Sequence, residues 1–188
     1  MNKKIIEKNF FRKPALEVAE KLVGNLLVRK FQNGNKKYFK IIETEAYTGP
    51  EDKACHASKK PTDRTEVMFG PPGFWYVYLV YGIHLMLNVI TNPKGHPAGV
   101  LIRALKPIDQ TNHFSFSDLN GPGKLTRELD IDKSLDGKKV STENGVWFQK
   151  SAKEFTDNQI KKTPRIGVEY ADQWANKPYR FVLDEINS

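Results

Sequence analysis

A chain of 188 residues with 39% hydrophobic and 11% aromatic side chains holds enough apolar material for one sizeable core, which excludes disorder, collagen and coiled coil as descriptions of the whole. Thirty Lys and Arg against 22 Asp and Glu leave a net charge of +8, all of it in residues 1–40, where eleven basic groups meet three acidic ones. One cysteine, Cys55, excludes an internal disulfide and a cysteine-rich metal site, and suits a reducing, cytoplasmic setting.

In chain order, Pro14 opens a helix whose Leu16, Ala19, Leu22 and Val23 recur at helical spacing. Strands near 25–32 and 37–47 flank Asn33-Gly34, the strongest short-range hairpin signal. The lysines of these segments read first as a solvated face and only then as a polyanion surface. Residues 48–73 mix Gly, Pro and charge without period, and so long a loop in a small domain marks where function gathers. Phe74–Val80 and Ile83–Ile90 form a second hairpin hinged at Tyr81-Gly82, followed by an apolar strand, GVLIRALKPI. Asn120 to Lys124 reads as a loop into a short helix, LTRELDI, and GVWFQK and YRFVLDEI as late strands. No helix between the later strands is long enough for parallel crossovers, so the expected fold is a single α+β domain on a largely antiparallel sheet. The longest apolar runs fall far short of the roughly 20 residues that span a bilayer, and MNKKIIEKNF lacks the apolar core of a secretion signal.

Several residues can carry chemistry. Glu43, Glu45 and Tyr47 alternate with Thr44 and Ala46, which puts them on one strand face; an exposed face with ordinary glutamates is the bland alternative. The four histidines form no HxxxH or HExxH spacing, so no metal site is expected, and neither a phosphate loop, a dinucleotide fingerprint nor a nucleophile elbow is present. Tyr76 and Tyr78 share a strand face and read as packing, whereas Tyr81 puts a large ring at a turn, where it can wedge between stacked bases. Asn88 and Arg103 interrupt apolar strands. Each needs partners inside, which suggests a lined pocket, or for Arg103 a structural pairing with Glu43 or Asp52.

ETEAYTGPEDKACHAS, MFGPPGFWYVYLVYGIHLMLNV, VLIRALKPI, NGPGKLTRELDID, TPRIGV and WANKPYRFVL together resemble the alkyladenine (3-methyladenine) DNA glycosylase family in its small bacterial form. The resemblance runs from about residue 10 to residue 183, and it implies one glycosylase domain over 1–188 built on a curved, partly open antiparallel barrel with a protruding hairpin. It implies monofunctional excision of 3-methyladenine, 7-methylguanine, hypoxanthine and ethenoadenine from double-stranded DNA by a cytoplasmic, nucleoid-associated monomer without cofactor, metal or membrane. By the same resemblance Glu45 matches the general base that activates water, and Arg103 a residue that supports that glutamate or positions its water. Tyr47, His56 and Tyr78 match the walls that stack the extruded base, and Asn88 the residue that crowds the exocyclic amino group of guanine. Tyr81 matches the residue that fills the vacated stack, and Arg64 and Met68 match residues flanking the flipped nucleotide and the opposite strand. Lys124, with the backbone amides of Gly123, is a candidate phosphate contact. An ordinary glutamate is already ionised at neutral pH, so no tuning of Glu45 is expected. Two rivals are a non-catalytic module that recognises distorted duplexes, which Glu45 argues against, and an enzyme on small nucleosides using Glu43 and Glu45 as a carboxylate pair, which leaves Tyr81 without a task.

Overall fold

The computed structural model describes residues 4–58, 61–108, 119–152 and 155–184. The helix after Pro14 forms as α1, Ala15–Leu22, and buries Ala15, Val18, Ala19 and Leu22 as one stripe. Strand β1, Leu26–Lys30, turns at Gly34, whose φ of 84° a side chain would disfavour, into β2, Lys36–Tyr47, with Leu27 opposite Phe39. The second hairpin is β3, Trp75–Val80, with β4, His84–Thr91; β5, Ala98–Ile108, then lies between β4 and β2. With β7, Val146–Gln149, the strands run β3-β4-β5-β2-β1-β7 in one antiparallel sheet that curls into a half barrel, the α+β architecture expected.

The period of two along the strands positions the site. Trp75, Val77, Leu87 and Val89 point into the main core with Phe39, Ile41, Ile102, Phe148 and the stripe of α1. Tyr76, Tyr78, Met86 and Asn88 therefore face the other way, and loop 48–73 packs onto that face through Cys55, Ala57 and Met68. The free edge of β3 is covered by residues 133–138: Val77 N–H donates to Asp136 Oδ1 at 2.8 Å and Lys133 Nζ to Val77 O at 2.6 Å.

Several expected boundaries move. The helix expected from Leu125 starts at Pro122, as α2, Pro122–Glu128, because proline fits a first helical turn and Gly121, at φ 113°, lets the chain enter it. Lys124 thus belongs to the helix and not to the loop before it. The last strand is only β9, Arg180–Leu183; residues 185 and 186 of the expected strand, like His113, lie outside the described residues. Two strands were not legible: β6, Leu119–Asn120, is two residues long, and β8, Ile160–Thr163, exposes both of its lysines and, among the described residues, pairs only with β9. Among the described residues no helix is long and apolar enough to cross a membrane.

Candidate active site

Where β2, β3, β4 and β5 meet loop 48–73 and residues 166–170, the fold leaves a cavity of about 490 Å³, within the roughly 300–1,000 Å³ usual for small-molecule sites. Tyr47, His56, Tyr78, Asn88 and Arg103 line it, as do Arg64, Met68 and Tyr81. Lys124 does not; it is exposed in the first turn of α2, while Pro122 of the same turn reaches the cavity.

Glu45 is not part of the lining but lies directly behind it. It is 0% exposed, and its carboxylate is held by three groups that themselves border the cavity. Tyr47 Oη donates to Oε2 at 3.0 Å, Ile166 N–H donates to Oε1 at 2.9 Å, and Arg103 Nε stands 3.5 Å from Oε1. Burial raises the Glu45 pKa, against the opposing pull of Arg103, the Ile166 amide and Tyr47, so the expectation of an untuned carboxylate is corrected. Burial and the neighbouring carboxylate push the Tyr47 phenol well up, so it stays a proton donor.

His56 and Tyr78 form one wall, their rings edge to face at 4.3 Å. Burial, with Arg64 adding to it, lowers the His56 pKa to about 4, which leaves the imidazole neutral at pH 7. The imidazole therefore adds no positive charge to this wall. Arg64 reaches over Tyr78, 5.2 Å from the ring centroid, and donates to Leu79 O at 3.3 Å. Met68 is buried against Tyr76 and Tyr78 and lines the cavity.

Asn88 is 5% exposed, and its Nδ2 donates to Tyr76 O at 3.2 Å and Met86 O at 3.3 Å, so the amide is fixed in the cavity wall. Arg103 pairs with Glu43 at 3.0 Å, and Asp52 turns elsewhere, which settles the two structural partners left open by the sequence in favour of Glu43. At the hairpin tip Tyr81 is 92% exposed at φ 50°, a left-handed conformation unusual for a large residue, with Ile83, 72% exposed, beside it. A Cβ at Gly123 would lie 2.9 Å from His84 Nδ1, so the bare backbone there makes room for a ring beside the tip of this hairpin.

Arg165 was missed. It lies in TPRIGV, a segment without period, and only its environment reveals it: Nη1 and Nη2 grip Asp52 at 2.6 and 2.9 Å, Nη1 donates to Ala46 O at 2.8 Å, and Nη2 to Trp174 O at 3.2 Å. Its guanidinium stands 4.8 Å from the Tyr47 ring centroid. Asp52 in turn accepts from Thr48 N and Ala54 N, both at 3.1 Å. One buried ion pair thus fixes the start of loop 48–73, the Tyr47 ring and, through the next residue, the amide on Glu45.

The family model for methylpurine-DNA glycosylase matches residues 9–187. Proteins named "Putative 3-methyladenine DNA glycosylase" are similar along nearly the whole chain. That of Methanocella arvoryzae is 41% identical over 186 residues, covering 94% of this chain and 91% of its own. That of Myxococcus xanthus is 41% identical over 175 residues, covering 93% and 88%. That of Bacillus cereus strain AH187 is 43% identical over 195 residues, covering 94% of each.

Proposed function

This chain belongs to the methylpurine-DNA glycosylase family, hydrolases of N-glycosyl bonds in DNA repair, and on that premise we propose that residues 1–188 act as one domain that extrudes a damaged purine and releases it with water activated by Glu45. The observation that carries this reading is a fully buried carboxylate beneath an aromatic cavity, held by three groups that border it. A purine glycosidic bond breaks through an oxocarbenium-like transition state, so an anion beside C1′ stabilises the developing charge and accepts the proton of the attacking water. Tyr47 on one side, with His56 and Tyr78 on the other, stacks the base, which offsets about 1–3 kcal/mol per ring of the cost of flipping. A cationic N-alkylated purine is already a good leaving group; a neutral one, such as hypoxanthine, needs a proton as well. Among the described residues no lysine lines the cavity, which supports hydrolysis that leaves the abasic strand intact.

The test is release of free purine from duplexes carrying hypoxanthine, ethenoadenine, 7-methylguanine or 3-methyladenine, with the strand assayed separately. The reading expects free base and an uncut strand; no release from any of the four removes it.

Two variants probe the assigned roles. Asn88→Ser clears the wall where the guanine amino group would fall, and excision of undamaged guanine should rise roughly tenfold or more, the scale of steric discrimination in an apolar pocket. Unchanged guanine release would make the amide purely structural. Tyr81→Ser removes the ring that fills the vacated stack. Lesion-duplex affinity should fall roughly tenfold, the scale of one lost stacking contact, with thermal stability unchanged because the ring touches little in the free protein. Equal affinity in a duplex binding titration would dismiss the wedge.

A further inference from the structure

Glu43 is the charged group of this site that the reaction leaves without a task. It shares a strand face with Glu45 and is only 16% exposed. Its Oε1 takes two guanidinium groups, Arg103 Nε at 3.0 Å and Arg180 Nη1 at 2.9 Å. Arg180 is anchored in turn, its Nε donating to Thr163 Oγ1 at 2.9 Å. The pairing of β2 is irregular here: the register with β5 shifts on both sides of Glu43, which faces Ala104 of β5 and Val182 of β9. A bulge re-aims a side chain, and this one brings Glu43 onto Arg103.

Arg103 therefore stands between two carboxylates and nearer the outer one, 3.0 against 3.5 Å. A guanidinium seated fully on Glu45 would stabilise its charged form and cover lone pairs that a water needs, which makes a poorer base. Resting on the reading of Glu45 as that base, we propose that Glu43 is a positioning residue that draws Arg103 away from Glu45 and keeps the catalytic carboxylate basic. The other groups facing Glu45 are Tyr47 from its own strand, the Ile166 amide and Arg165 from the loop before residue 166, and Tyr78 from β3; none of these four is hydrogen-bonded or ion-paired to Glu43.

The proposal makes two predictions of opposite sign. In Glu43→Gln the outer anion is gone, Arg103 settles on Glu45, and the acid limb of base release moves down by roughly one pH unit, with a lower plateau rate. In Arg180→Met, Glu43 has Arg103 alone, holds it more closely, and the acid limb moves up. Single-turnover release of hypoxanthine from a duplex, followed against pH for the native protein, both variants and Glu45→Gln, reads all of this. A structural role would lower rates without moving the limb. An unmoved limb, or a shift of the other sign, in either variant overturns the proposal, so one folded variant suffices. Release persisting in Glu45→Gln would instead remove the base itself, an outcome distinct from static limbs in a protein that Glu45→Gln silences.

Discussion

Glu45→Gln should bind a lesion duplex as the native protein does and release base more slowly by on the order of 10³-fold, the scale of a lost general base. The amide is nearly isosteric: its oxygen can keep the Ile166 N–H while its NH2 donates to Tyr47 Oη, whose hydroxyl can turn to accept, and the stacking rings of the cavity are untouched. What disappears is the negative charge beside C1′ and the proton acceptor. The substitution should also change stability in a defined direction. Because burial raises the folded pKa of Glu45, the native protein is favoured most at low pH and loses that contribution as pH rises through the folded pKa. Glutamine never ionises, so Glu45→Gln should melt no lower than the native protein at pH 7, and the difference should shrink on acidification. The same raised pKa places the acid limb of native base release above the ordinary glutamate range. Release at native rate in Glu45→Gln would dismiss the glutamate, and a large fall in melting temperature would mean that the loss of activity reports unfolding.

The second large effect concerns stability. Asp52→Ala leaves Arg165 charged and buried without its bidentate partner, and breaking a buried pair from one side costs about 3–5 kcal/mol. For a chain of this size that lowers the melting temperature by on the order of 10 °C. Base release should fall with it even well below the transition, since Asp52 also caps Thr48 and Ala54 and Arg165 lies over the Tyr47 ring. Calorimetry together with release kinetics at low temperature checks both. A variant that melts like the native protein would show that water or a shifted carboxylate serves Arg165 instead.

Much of this arrangement was legible in the sequence because it follows from period and turn chemistry. Alternation alone put Glu43, Glu45 and Tyr47 on one face, and the polar interruptions at Asn88 and Arg103 marked the cavity wall. Asn33-Gly34 and Tyr81-Gly82 located both hairpins. What remained hidden depends on contacts between distant segments. Arg165 meets Asp52 across 113 positions in a stretch with no period of its own. β8 exposes two of its four residues as lysines, so its pairing with β9 leaves no apolar alternation to read. The raised pKa of Glu45 has the same origin, since composition says a glutamate is ionised and only burial says how reluctantly.

The most direct measurement is a crystal structure of the Glu45→Gln protein bound to a duplex carrying one hypoxanthine. The account predicts that purine out of the helix, stacked between Tyr47 and the His56–Tyr78 wall, its C1′ facing residue 45 and the Tyr81 ring in the gap it left. A hypoxanthine still paired in the duplex, or seated away from that cavity, would contradict it.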